Sequence, residues 1–407
     1  MLIVGIDWSR SKHDAVLMDS DGQVLEQLVV RHSLEGLEAL AQAIARREGS
    51  PAEVRVAVEQ HDGALLAWLL AGGYVVYGVN PKSSERARDR YRPAGGKGDL
   101  SDAFILADML RQDRGSLRPL PQESPTAAEL RTLGELRVQR VQERVALMNR
   151  LRTLLDDWCP ELSSLCDNLG VVPWQLDFLK RFPLQGDLAT ADVRTVNAFI
   201  RGHRMYRATA ERIRQLRKVR GLPIPVGREA ALRLDAAFLV DQVQTLTEAI
   251  RAIELKLQHL VEQHPDAEIF QSLPVKGLVT TSALLAGFSE PREAAPHHTE
   301  LAARWGVAPV TVASGRTRFV RYRRACDGYM RGALMFFAFT TAQRPDCWAQ
   351  DYYRRKRAAG ATHYGALRCL AQRWLKIICR MWRDRASYDE QRHRSRLAQG
   401  AAALAST

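Results

Sequence analysis

The sequence predicts a mixed α/β N-terminal domain, a long-helix arm and a mostly helical C-terminal domain. Three observations carry this prediction. Apolar runs of strand length alternate with helical patterns over residues 1–114. An unbroken a/d seam runs from Leu239 to Leu260. Apolar helical segments rich in arginine fill 266–390, and an Ala-rich tail, 391–407, reads as disordered.

In order, residues 2–6 form an apolar run that ends at Asp7, too short for a helix and read as a central strand. Residues 13–19 and 24–30 are two further strands joined at Asp21-Gly22, a strong hairpin signal. Leu34 to Ala45 has helical spacing, with Ser33 as N-cap. Val54, Val56 and Val58 alternate in a fourth strand that ends at Glu59. Residues 63–70 read as a helix, 74–79 as a fifth strand and 83–91 as a helix. Gly95 to Gly98 then deliver the chain into a helix opened by Asp99 and Asp102, with Phe104, Ile105, Leu106, Met109 and Leu110 as its buried side. This order is that of a ribonuclease H-like α/β domain.

In that arrangement Asp7 and Glu59 leave neighbouring strands, and the late helix packs across them. Asp99 and Asp102, three apart, share one helix face, so four carboxylates converge. Crowded anions repel unless cations are bound, which favours Mg²⁺ or Mn²⁺. Two such ions about 4 Å apart activate an attacking oxygen and stabilise a leaving one in phosphodiester cleavage. The competing reading of the helix start is local: Asp99 caps the N-terminus and Asp102 complements the dipole.

Residues 115–265 change character. Val141, Val145, Met148 and Leu155 lie at 4-3-7 spacing in a helix that Pro160 ends. Leu239, Val243, Leu246, Ile250, Ile253, Leu257 and Leu260 step by 4,3,4,3,4,3. Two such helices pair as an antiparallel coiled coil, within one chain or between protomers. Residues 166–235 between them read as a small helical insertion.

In the last third, 269–288 reads as two helices around a Pro-x-x-Gly turn, similar to a helix-hairpin-helix, with Val275 where that motif has its first glycine. Ser314 precedes Gly315 on an exposed turn, followed by Arg316, Arg318, Arg321, Arg323 and Arg324. Two readings stand for Ser314: a turn residue beside phosphate-anchoring arginines, or a nucleophile whose charge those arginines and nearby metals stabilise. Tyr352-Tyr353 run into Arg354, Arg355, Lys356 and Arg357, mixing aromatics and cations as nucleic-acid surfaces do.

Charge follows the same division. The net charge of +13 is uneven: residues 1–114 carry 14 Lys/Arg against 17 Asp/Glu, and 304–396 carry 21 against 6. A basic segment joined to an acidic-cluster domain suggests metal chemistry beside a polyanion groove. Nothing near the start reads as a signal peptide, and no apolar run reaches membrane-spanning length. Six cysteines without CxxC or finger spacing fit a reduced, cytoplasmic protein.

Together these motifs resemble the DEDD transposases of the insertion-sequence-110 family. The resemblance rests on Gly-Ile-Asp7-Trp, Val-Glu59 and Lys-Gly-Asp99-x-x-Asp102-Ala in the first domain. Leu-Pro-x-x-Gly, Trp-Gly-Val-Ala-Pro and Ser314-Gly carry it in the last. It implies a Holliday-junction-resolvase-like ribonuclease H catalytic domain (1–114), a coiled-coil arm (115–265) and a C-terminal transposase domain (266–390). It also implies that Asp7, Glu59, Asp99 and Asp102 bind Mg²⁺, and that Ser314 attacks DNA to give a covalent 5′-phosphoserine link. A non-coding bridge RNA would pair with donor and target DNA. The assembly would be a dimer or tetramer, without a membrane, in the bacterial cytoplasm and on the nucleoid when active. Family members carry Arg-Gly-Asn near the start of the helix after the serine, where this chain has Ala325-Cys-Asp-Gly328. Two other functions fit parts of the pattern: a junction-resolving nuclease using water, and a non-catalytic RNA- or DNA-binding scaffold.

Overall fold

A computed structural model describes residues 1–48, 50–59, 63–91, 99–113, 117–120, 124–170, 172–225, 227–288, 292, 296–314, 317–345, 347–391 and 393–395, without the side chains of 89–91, 99–101, 318 and 322. The Gly95–Gly98 hinge and most of the 391–407 tail lie outside the described residues. The chain divides into two compact units, Met1–Glu123 and Ser124–Thr407.

The first unit is built on a five-stranded sheet of order β3-β2-β1-β4-β5. β1 (Ile3–Trp8), β2 (Lys12–Met18) and β3 (Val24–Arg31) form an antiparallel meander. α1 (Leu34–Ala45) follows, with the Ser33 hydroxyl accepting from the Gly36 amide. β4 (Arg55–Val58) then joins β1 in parallel, and after α2 (Ala64–Ala71) β5 (Val75–Gly78) joins β4 in parallel. α3 (Pro81–Tyr91) and α4 (Asp99–Gln112) complete the unit.

Pleating divides the side chains between two cores. Val4, Ile6, Val56 and Val58 pack with Leu40 and Ile44 of α1 and Leu65 and Leu69 of α2. Ile3, Met18 and Ala57 point the other way, onto Leu106, Ala107 and Leu110 of α4. Central strands covered on both faces must be apolar along their length, which is why β1 and β4 lack polar alternation.

In the second unit, α5 (Pro125–Trp158) and α11 (Arg228–Gln263) run antiparallel within one chain. Arg137 pairs with Glu254 at 2.6 Å and Arg150 with Asp235 at 2.9 Å, so one helix is climbed as the other is descended. α5 ends at Trp158, just before Pro160 as the sequence suggests, and Pro160 also opens the next helix, because the first turn has no use for its missing N–H. The insertion is helical: α6 (Pro160–Leu165), α7 (Pro173–Arg181), α8 (Gln185–Thr190), α9 (Val193–Gly202) and α10 (Arg207–Leu216). It closes a core with Leu151 and Leu155 of α5 and Leu239 and Val243 of α11.

The opposite ends of α5 and α11 enter a second core through Leu130, Ile253 and Leu257. Around them stand α12 (Ala267–Gln271), α13 (Leu278–Gly287) and α14 (His298–Arg304), then α15 (Gly328–Ala342), α16 (Trp348–Ala358) and α17 (His363–Arg383). Between α14 and α15 the chain makes an antiparallel hairpin, β6 (Pro309–Ser314) and β7 (Thr317–Tyr322). This hairpin was not expected in a helical domain. Both strands are largely exposed and β7 carries Arg318 and Arg321 among its apolar residues, so little apolar alternation marks it. The six cysteines are free, and no described helix is long and apolar enough to cross a membrane.

Candidate active site

The geometry of the first unit follows from strand parity. Asp7 shares a face with Ile3, and Glu59, one residue past β4, is in phase with Ala57; both therefore point toward α4. Asp7 lies inside β1, not at its end as the sequence suggested, because pairing with β2 continues to Trp8. Asp102 stands on the first turn of α4, which also carries Asp99; the Asp99 side chain is outside the described residues.

What brings α4 so close is Gly5. A Cβ there would overlap the carbonyl oxygen of Ala103 and lie 2.5 Å from the Ala107 amide nitrogen, so only glycine allows this crossing. Asp102 adjoins Ala103 in sequence, and the backbone contact carries its carboxylate to the Asp7 side of the sheet.

Electrostatics record the convergence. Burial, then the charges of Asp102, Glu59 and Asp14, push the Asp7 carboxyl up to about 6, against the opposing pull of Arg88. Arg88 Nε donates to Asp102 Oδ1 at 2.7 Å, and the guanidinium also feels Glu59 and Asp7. Ser84, one turn earlier on α3, donates to Glu59 Oε1 at 2.8 Å. Among the described residues no three carboxylate, histidine or cysteine side chains close tightly enough to hold an ion. Arg88 stands as a cation against Asp102, Glu59 and Asp7, and Lys12 lies 3.8 Å from Asp14.

Sequence reasoning missed three residues here. Asp14 is buried and sits directly opposite Asp7 across the β1–β2 ladder, a fifth acid on the same face. The hairpin register would have found it. Ser84 and Arg88, spaced i,i+4 on α3, carried no signal until their helix was seen beside the acids.

The second unit holds the remaining candidates. Ser314 is exposed at the last position of β6, paired with Thr317, and no described residue hydrogen-bonds its side chain. Arg316 and the Arg318 side chain lie outside the described residues. Arg321 is exposed and lies over the Phe319 ring at 4.7 Å, and Arg324 is exposed. Arg323 instead has a buried Nε without a hydrogen-bond partner among the described residues. On α16, Arg354, Arg355 and Arg357 are exposed, and Lys356 stands over the Tyr352 ring at 5.8 Å. At the point where the family pattern departs, Asp327 caps α15 by accepting from Met330 N at 2.9 Å and pairs with Arg131 at 2.6 Å.

Comparison with known proteins places both units. Residues 4–160 match the DEDD proteins of IS110, described as transposases, and residues 267–354 match the transposases of the IS116/IS110/IS902 family. The IS117 mini-circle protein of Streptomyces coelicolor is 29% identical over 408 residues, covering 98% of each chain. The uncharacterized 44.8 kDa protein of insertion element IS116 from Streptomyces clavuligerus is 30% identical over 393 residues, 94% of each chain. The 43.6 kDa protein of insertion element IS110, from Streptomyces coelicolor, is 26% identical over 399 residues, 96% of each. By these matches the chain is a transposase. The chain belongs to the IS116/IS110/IS902 transposase family.

Proposed function

We propose that this protein is an insertion-sequence recombinase whose first unit is a ribonuclease H-like metal domain and whose Ser314 is the nucleophile. The observation that carries the reading is the convergence of Asp7, Glu59 and Asp102 on one side of the sheet, where a guanidinium partly offsets their charge. A cluster that needs a cation, built of carboxylate oxygens, suits a hard divalent ion. Asp7, Glu59, Asp99 and Asp102 would hold Mg²⁺ or Mn²⁺, which when bound withdraws charge from the scissile phosphate.

The Ser314 hydroxyl attacks phosphorus as the bond to the 3′ oxygen breaks. The serine proton balances the departing 3′ hydroxyl, and the strand is left as a 5′-phosphoserine. One ester replaces another, so no external energy source is required. Arg316, Arg318, Arg321, Arg323 and Arg324 with Arg354, Arg355, Lys356 and Arg357 hold donor and target DNA by their phosphates. A non-coding guide RNA supplies sequence choice by base pairing. The antiparallel α5–α11 pair is read as the coiled-coil arm of a dimer or tetramer, acting in the bacterial cytoplasm on the nucleoid. In domain terms, 1–114 is catalytic, 115–265 the arm and 266–390 the serine-bearing domain.

One observation favours a second reading. Ser314 has no activating partner among the described residues, so water could be the nucleophile in a junction-resolving nuclease. The two differ in product. Full-length protein with Mg²⁺, donor and target duplexes and RNA transcribed from the element's flanks should exchange strands, and Ser314→Ala and Asp102→Asn should not. Strand exchange surviving in Ser314→Ala would exclude the serine pathway, and cut strands with free ends only would favour the nuclease.

A further inference from the structure

Arg88 is largely shielded against a still more shielded Asp102, their side chains 27% and 16% exposed, so their 2.7 Å contact is not a loose surface pair. It bonds one carboxylate yet lies within the field of three. Its helix also grips Glu59 through Ser84. A guanidinium cannot shed its proton, so it leaves such a site only by moving. A divalent ion coordinated by Asp102 would claim the same carboxylate oxygens and repel the guanidinium.

We propose that Arg88 is the resident counter-cation of the acidic site, competing with the divalent ion for Asp102 and so setting metal affinity. This rests on the metal-site reading above. When the ion loads, the guanidinium is released, and the anion the reaction brings to it is the phosphate of bound DNA, whose oxygens fit its forked donors. Arg88 is in these terms a positioning residue. A merely structural ion pair would act the opposite way, since its loss would loosen α3 and weaken metal binding.

The test is Mn²⁺ titration of the full-length protein, reading free Mn²⁺ by electron paramagnetic resonance, for wild type, Arg88→Gln, Arg88→Lys and Asp7→Asn. Competition predicts Mn²⁺ binding at least tenfold tighter in Arg88→Gln, near wild type in Arg88→Lys, and lost in Asp7→Asn. In a second arm, the anisotropy of a labelled DNA duplex should show Arg88→Gln weakened severalfold in Ca²⁺ and unchanged in EDTA. Equal or weaker Mn²⁺ binding by a folded Arg88→Gln protein, with Asp7→Asn still abolishing it, overturns the competition and spares the metal site. Absence of Mn²⁺ binding in wild type and Arg88→Gln alike overturns both. If Arg88→Gln fails to fold, Arg88→Lys decides: affinity that collapses despite the retained charge contradicts competition.

Discussion

Gly5 and Ala103 meet backbone to backbone, strand against helix, with no room between them for a single methyl group. The contact seats α4 on β1 and sets where Asp102 stands relative to Asp7. Gly5→Ala forces the helix outward. Overpacking of this kind costs about 1–3 kcal/mol, so the melting temperature should fall by several degrees. Divalent-ion affinity should fall more than that loss explains, because the carboxylates separate. Calorimetry with and without Mn²⁺ checks both, and equal melting shifts in the two conditions would argue against the linkage.

Asp7 gives the site a pH signature. Its carboxyl is raised to about 6, chiefly by burial and then by Asp102, Glu59 and Asp14. The folded protein therefore favours protonated Asp7. That stabilising contribution is complete below the ordinary carboxylate value near 3.8 and is lost as pH rises through 6. Without metal, wild type should gain melting temperature relative to Asp7→Asn as pH falls from 7.5 to 5.5, and Asp7→Asn should melt higher at pH 7.5. Melting curves across that interval read the difference directly.

Asp327 closes two structures at once, the α15 cap and the Arg131 pair. Loss of an N-cap costs about 1 kcal/mol, and the ion pair to Arg131 is lost as well. Asp327→Ala should lower the melting temperature by more than Asp327→Asn, which keeps a capping oxygen. Equal effects would show that the ion pair, rather than the cap, carries the stability.

Nucleic-acid binding should be steeply salt-dependent. Each Lys or Arg on a phosphate contributes about 0.9 to the slope of log K against log salt. Replacing Arg354, Arg355, Lys356 and Arg357 by alanine should flatten that slope by about 2 to 4 if they line the groove. A salt titration of duplex binding by anisotropy measures it, and an unchanged slope would remove α16 from the interface.

Much of the first unit was legible because each element there writes its own local signal. The Asp21-Gly22 turn, the alternating valines of β4 and the Ser33 cap are short-range features, and α1 spans Leu34–Ala45 as its spacing predicts. The common face of Asp7 and Glu59 follows from strand parity, which sequence also carries, whereas Asp102 is placed by the Gly5–Ala103 crossing. Asp14 needed the β1–β2 register to be found, and Arg88 was not legible, since it joins the site only through the approach of α3 to the acids. The β6–β7 hairpin escaped notice because its exposed faces and arginines leave little apolar pattern. Pro160 marks the end of α5 as read, and its second role of opening the next helix is hidden because a proline after a helix and one opening the next look alike in sequence.

The most direct measurement of the central claim is mass spectrometry of the covalent adduct. Full-length protein is incubated with Mg²⁺, the flanking RNA and nicked donor DNA, denatured, digested with nuclease and protease, and searched for a nucleotide-bearing peptide. A 5′-phosphonucleotide on Ser314, absent in Ser314→Ala and in Asp102→Asn, is the predicted result. An adduct on any other residue, or one that Ser314→Ala still forms, would contradict it.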